Sequence, residues 1–391
     1  MQDFIQGKKI VMSNSDIKNE KIMVTRASMP PFEEYEELIK GLWNSHFLTN
    51  MGCLHEEFRE KLKSYLNTTG LELFVNGHTA LEMLIQSFEL RGEVITTPFT
   101  FASTTHAIYR NGLKPVMCDV KPEDGTMNPE LIEALITENT SAIVPVHVYG
   151  NICDYEKIED IARKHGLKVI YDAAHAFGEF IENPDGSRIS AAGLGDASMF
   201  SFHATKVFNS IEGGAVSFDE ERYPFLSDRL YQIKNFGITG KESVEYIGGN
   251  GKMNEFAAAM GICNLRHVDS WIESRKMIYR RYEERLSDIR GIRFLKRSDK
   301  IKYNYSYMPV VFEKGLYNRD EIYDRLAQNN IYARKYFYPC VNNYKCYEGI
   351  LDPFATPCAA SLAENVLTLP VYPELSLKDV DRICDIILFG A

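Results

Sequence analysis

No apolar run in the 391-residue chain approaches the roughly 20 residues that a membrane-spanning helix needs. A protein outside the bilayer is therefore expected. The opening stretch, "MQDFIQGKKIVMSNSDIKNEK", is polar and lacks the apolar centre of a secretory signal, which points to the cytoplasm. None of the eight cysteines (53, 118, 153, 263, 340, 346, 358 and 384) forms a CxxC pair, so neither a zinc ribbon nor a disulfide framework is expected, and no metal site is assigned. Basic charge is in deficit: 44 Lys and Arg face 54 Asp and Glu, a net charge of −10. That balance argues against nucleic acid as a partner and leaves room for one local pocket that takes an anion. Internal repeats and low-complexity tracts are absent. Asn67, Asn139 and Asn304 begin N-x-S/T triplets, which without a secretion signal are chance matches.

What is present is ordinary globular composition, 45% hydrophobic and 25% charged. The length exceeds what one core usually serves, so two domains are expected, 1–265 and 266–391. The spacing predicts helices over "PPFEEYEELIKGLWNS" and "LHEEFREKLKSYLN". Strand-like runs and helical patterns then alternate: "LELFVNG", "TALEMLIQSFELR", "EVITTPF", "FASTTHAIYRNG", "KPVMCDV", "NPELIEALIT", "SAIVPVHVYG", "DYEKIEDIARKHG" and "LKVIYDA". Such alternation means βαβ units and a mostly parallel sheet between helices, an α/β fold. "DASMFSFHATK" and "GGAVSF" read as two further strands. Met253 to Asp288 reads as one long amphipathic stretch whose charge-rich second half is a solvated face. The last hundred residues read as a smaller α+β unit.

Polar or glycine-rich clusters fall where strands end: Asn76 to Thr79, Thr96 to Thr100, His147, Asp172 to His175, and Ser201 to Lys206. In open α/β sheets ligands sit at the carboxyl ends of strands, and the topology brings such clusters to one edge. In "FVNGHTALEML", Gly77 permits a tight turn into a helix whose free N–H groups suit an anion. Thr79 could equally be only a helix cap, and both readings use the same N–H groups. In "KVIYDAAHAFG", Asp172 is a carboxylate at the end of a buried strand. It is either a turn cap or one half of an ion pair; Ala173 and Ala174 leave room beside it for something flat, over which His175 can lean. In "MFSFHATKVFNSIEGGAV", Lys206 follows an apolar strand. Desolvation would make its amine a nucleophile, although an exposed loop lysine is the plainer reading. One ligand satisfies all three, a flat cationic ring with a phosphate and an aldehyde for the lysine, which is pyridoxal 5′-phosphate.

With "EVITTPFTFAST", "PVHVYGN", "VIYDAAHAFG", "SFHATKVFNSIEGGAV" and "GGNGKMNEFAAAMG" in this order, the chain from Val24 to the C-terminus resembles the DegT/DnrJ/EryC1/StrS aminotransferases. That family comprises fold-type-I pyridoxal-phosphate enzymes of nucleotide-linked keto sugars. The resemblance implies that Lys206 is the Schiff-base lysine and proton carrier and that Asp172 pairs with the pyridinium nitrogen. It implies that His175 packs on the cofactor, that Phe101 stacks on the ring and that Ser201 binds the phosphate. Gly77 and His78 would hold the phosphate by backbone N–H groups, and Asn250 would reach it from a neighbouring subunit, making a homodimer with shared active sites. Three departures stand out. His78 replaces the usual Thr, so a hydroxyl contact is lost or passes to Thr79; Lys252 stands where many members have Arg; and "SFHATK" differs from several relatives. The substrate implied is dTDP-4-keto-6-deoxy-D-glucose, aminated at C4 with glutamate as donor. Amination at C3, a GDP- or UDP-linked sugar, or a silent cofactor-binding regulator are the alternatives. "ARKYFYP" and residues near "FLTNMG" are expected to serve the nucleotide.

Overall fold

Seven of the apolar runs become strands of one sheet in this computed structural model, which describes residues 21–390. Residues 1–20 of the polar leader lie outside the described residues. The strands are β1 (Gly70–Phe74), β2 (Glu93–Thr96), β3 (Lys114–Met117), β4 (Thr140–Ile143), β5 (Lys168–Asp172), β6 (Ala197–Ser201) and β7 (Gly214–Phe218). Their order across the sheet is β1-β7-β6-β5-β4-β2-β3. β2 through β6 pair in parallel, whereas β7 runs antiparallel to both β6 and β1. Helices Gly77–Ser87, Ala102–Arg110 and Tyr155–His165 follow β1, β2 and the β4 segment. Both faces are thereby covered: Val94, Ile143, Ile170 and Phe200 are fully buried. Two-sided burial is the reason these strands read as unbroken apolar runs.

Two expected helices take another form. "NPELIEALIT" makes only two 3-10 turns, Pro129–Leu131 and Glu133–Leu135. Asn128 caps the first through Glu130 N–H, and the chain is extended again by Ile136, which leaves too few residues to propagate an α-helix. The stretch from Met253 to Asp288 breaks into helices Glu255–Leu265 and Val268–Leu286. Nine of the eleven residues of the first are buried, so it is a core helix and not an amphipathic one. The charge-rich second half is only partly a solvated face. Arg275 is fully buried and donates to the Val371 carbonyl at 3.0 Å. Arg281 and Arg285 donate to Asp381 at 2.8 and 2.7 Å, tying this helix to Leu377–Phe389.

A second core is built around the three-stranded sheet Ile292–Phe294, Met308–Phe312 and Val366–Leu369. Ile22–Met23 pairs in parallel with Ile331–Tyr332, so the first described residues join this C-terminal core. A small sheet of Phe180–Glu182, Arg188–Ser190 and Ile301–Lys302 has no counterpart in the sequence reading.

Candidate active site

A cavity of about 440 Å³ opens where β1, β5 and β6 end, beside the first turn of Ala102–Arg110. Lys206 reaches it from the loop between β6 and β7. The loop is held at both ends, since Phe202 N–H donates to Gly213 O at 2.8 Å and Lys206 N–H to His203 O at 2.8 Å. The next two residues, Val207 and Phe208, are buried, and Phe208 stacks on Phe177 with centroids 4.3 Å apart. Anchored hydrophobes on one side thus force the lysine to the other, into the cavity. Burial lowers its amine to about 8, against the smaller opposing pull of Asp172 and Tyr336. Its Nζ lies 3.5 Å from the hydroxyl of Tyr307. The exposed-loop reading of Lys206 is therefore excluded.

Gly77 makes the turn after β1 possible by close approach. A Cβ there would meet Ser201 Cβ at 2.8 Å, and a Cβ on Gly214 would meet the Gly77 nitrogen at 2.6 Å. Asn76, not Thr79, is the helix cap, its Oδ1 accepting from Thr79 N–H at 2.8 Å, while Ala80 N–H donates to Asn76 O. The first-turn N–H groups left for a ligand are those of Gly77 and His78, facing the same cavity as Ser201. Thr79 does not line the cavity.

Asp172 is buried at the end of β5. Thr104 Oγ1 donates to its Oδ2 at 2.7 Å and Ala174 N–H to its Oδ1 at 3.1 Å. Because Thr104 gives its proton to the acid, the 2.9 Å contact of Thr100 with Thr104 has Thr100 as donor. Burial raises the acid, and the two hydrogen bonds and, at a distance, Lys206 offset part of that rise. Both hydrogen-bond donors are neutral, so the carboxylate suits a cationic ligand in the cavity. Of the two alanines only Ala174 borders that space; Ala173 belongs to the hydrophobic core. His175 Nδ1 accepts from Tyr149 N–H at 3.0 Å, which fixes a neutral ring carrying its proton on Nε2. Burial pushes its basicity well down, and Lys206 adds to the effect. The ring lies 4.6 Å from that of Tyr307 and parallel to that of Phe337.

Phe101 borders the cavity with 57% of its surface exposed, leaving a ring face open. Arg334 and Tyr336 of "ARKYFYP" close the mouth, with Arg334 Nη1 donating to the Tyr336 hydroxyl at 2.8 Å. The "FLTNMG" segment lies elsewhere. Gly52 N–H and Leu54 N–H donate to buried Glu255 at 3.1 and 2.9 Å. Asn250 is exposed and outside the cavity of its own chain. His147 also leaves the series of strand-end clusters. It is buried, accepts from Cys153 N–H at 3.2 Å, stacks on Tyr171, and is lowered to about 3 by burial. Thr96 is likewise structural, donating to Val144 O at 2.8 Å. Thr104 and Tyr307 were missed. Thr104 had a weak signal, four residues after Thr100 at a helix start, and Tyr307 had none.

A sheet of this order, with a buried amine and a buried carboxylate on one cavity and free N–H groups beside a serine, defines a fold-type-I pyridoxal-phosphate transferase. The chain belongs to the DegT/DnrJ/EryC1/StrS aminotransferase family, which matches residues 32–388. Members of that family are pyridoxal-phosphate-dependent sugar aminotransferases, and the residues above fit the cofactor. The chain is 40% identical over 356 residues to a dTDP-4-amino-4,6-dideoxy-D-glucose transaminase of Shigella dysenteriae, covering 91% of this chain and 95% of that one. It is 38% identical to the Escherichia coli protein of the same name, with coverage of 95% and 99%. Among solved structures, DesI in the presence of its TDP-sugar product superposes with a TM-score of 0.88 at 31% identity, covering 95% and 94% of the two chains.

Proposed function

We propose that this enzyme transfers the amino group of glutamate to C4 of dTDP-4-keto-6-deoxy-D-glucose. The observation that carries the reading is the 40% and 38% identity to two transaminases named for that product, across all elements that border the cavity. Bound pyridoxal phosphate supplies a pyridinium ring that accepts the electron pair released when a carbon loses its proton. The chain does the rest. Asp172, held by Thr104 and Ala174, keeps the ring nitrogen protonated. Gly77 N–H, His78 N–H and Ser201 hold the phosphate, Phe101 and His175 hold the ring, and Lys206 moves the proton at the reacting carbon. A neutral amine can accept that proton, and burial keeps much of the Lys206 population neutral near pH 8. Arg334 and Tyr336 at the mouth suit the nucleotide diphosphate and its sugar.

The working form is a cytoplasmic homodimer in which Asn250 serves the neighbouring site. Its support is the position of Asn250 on an exposed edge beside Ile247, which is 91% exposed. The division at 1–265 and 266–391 is part of the same reading; its support is the separate cluster around Met308–Phe312, although Ile22 packs with that cluster, Val268 and Ile272 pack with the first, and Phe99 and Tyr149 share a cluster with Leu295 and Phe337. Incubation with glutamate and a panel of dTDP-, GDP- and UDP-linked 3-keto and 4-keto sugars, with products read by mass spectrometry and NMR, tests the reading. The dTDP-linked 4-amino sugar is expected; a 3-amino product or another nucleotide overturns the substrate assignment.

A further inference from the structure

A row of four side chains starts in the cavity, beside the free N–H groups of Gly77 and His78, and leads out to the surface. His78 Nδ1 lies 3.0 Å from Ser103 Oγ, and His78 Nε2 lies 3.4 Å from Glu82 Oε2. Glu82 is fixed in turn by Arg110 Nε at 3.0 Å. His78 and Glu82 are one turn apart on Gly77–Ser87, while Ser103 and Arg110 belong to Ala102–Arg110. His78 and Ser103 both line the cavity. The expected substitute, Thr79, cannot serve. Its N–H belongs to Asn76, and its methyl faces Gly251, whose added Cβ would meet it at 3.1 Å.

We propose that Ser103 is a phosphate-binding hydroxyl of the cofactor site and that His78 is the positioning residue that turns the hydroxyl proton toward the phosphate. This rests on the reading of the cavity as a pyridoxal-phosphate site. The proton count gives the reason. His78 Nε2 faces the Glu82 carboxylate at 3.4 Å, so Nδ1 is the atom that meets Ser103. If Nδ1 is bare, it accepts from Ser103 and takes the only proton that hydroxyl has. If Nδ1 is protonated, it donates to Ser103 Oγ and frees the hydroxyl proton for an anion. Around His78 stand Glu82 on its own helix and Ser103, His106 and Arg110 on the next, His106 being coupled to it through charge. Glu82 is the one anion in this set. A phosphate on the Gly77 and His78 N–H groups needs a hydroxyl proton, and Nδ1 as the donor leaves it the proton of Ser103.

The test titrates the cofactor-free enzyme with pyridoxal phosphate and, separately, with pyridoxal, which lacks the phosphate. Ser103→Ala is expected to weaken pyridoxal phosphate binding about tenfold or more, with pyridoxal unchanged. Ser103→Thr keeps a hydroxyl and is expected to keep the affinity. His78→Ala is expected to weaken pyridoxal phosphate binding, and the double variant to be no worse than Ser103→Ala, since one residue acts through the other. Wild-type affinity in Ser103→Ala, or equal losses for both ligands, overturns the Ser103 assignment. Additive losses in the double variant overturn the positioning role of His78. A wild-type enzyme that binds neither ligand overturns the cofactor reading itself.

Discussion

At the scale of single residues, Lys206 and Asp172 occupy one cavity and are shifted by the same force in opposite senses. Burial disfavours charge, so it lowers the amine and raises the acid. For Lys206 the consequence is measurable in the cofactor-free protein. Acylation of its amine, followed by mass spectrometry across a pH series, should show a midpoint near 8, where exposed lysines follow their ordinary value of about 10.5. The sign for stability follows. The unfolded chain binds the Lys206 proton more tightly, so between pH 8 and the ordinary lysine value this residue makes stability rise with pH. Lys206→Ala should abolish both turnover and the adduct trapped by borohydride in the presence of pyridoxal phosphate. Asp172→Asn should bind cofactor but lose roughly 100-fold or more in turnover, because a neutral amide cannot hold the ring nitrogen protonated; near-wild-type rates would contradict that role.

At the scale of elements, the strand ends carry the site, and the sequence shows why some of it was legible. Asp172 and His147 look alike on paper, each a polar residue closing an apolar run. β5 runs through to Asp172, but β4 stops at Ile143 and the chain bends into Val148–Gly150, which turns the ring of His147 against Tyr171. The difference lies in the side chains' surroundings, since the backbone pairing continues to His147, whose N–H donates to Asp172 O at 3.0 Å; no local pattern records which way each side chain then turns. Thr104 depends on which face of its helix meets β5, and Tyr307 sits just before strand Met308–Phe312, more than a hundred positions after Lys206. The turn at Gly77 was legible because its chemistry is local. Its packing was not: Gly214, far along the chain, must be small for the turn to close. Gly214→Ala places a methyl against backbone and should destabilise by about 1–3 kcal/mol while weakening cofactor binding, as read by thermal melting and titration. Beneath the same turn, buried Lys234 donates to Glu72 of β1 at 2.6 Å. Lys234→Ala leaves that carboxylate stranded in the core, although Arg59 also reaches it, and should cost about 3–5 kcal/mol in denaturant unfolding.

At the scale of the whole molecule, the proposed dimer has a clean signature. If Asn250 serves the neighbour, a mixture of Lys206→Ala and Asn250→Ala chains forms hybrids in which one site carries both defects and the other none. Re-association at equal amounts should then restore about a quarter of wild-type activity, from two preparations that are each nearly inactive. No recovery, with hybrids demonstrated by native mass spectrometry, would place Asn250 in its own chain's chemistry or in none.

The sheet also dictates a timetable. Among the described residues β1 lies at one edge and pairs only with β7, a strand that leaves the ribosome more than a hundred residues later. Until residue 218 has been delivered, β1 lacks its strand partner, and Gly214 is not yet present to shape the turn after it. The proposed phosphate floor is therefore completed only after both Asp172 and Lys206 have been made.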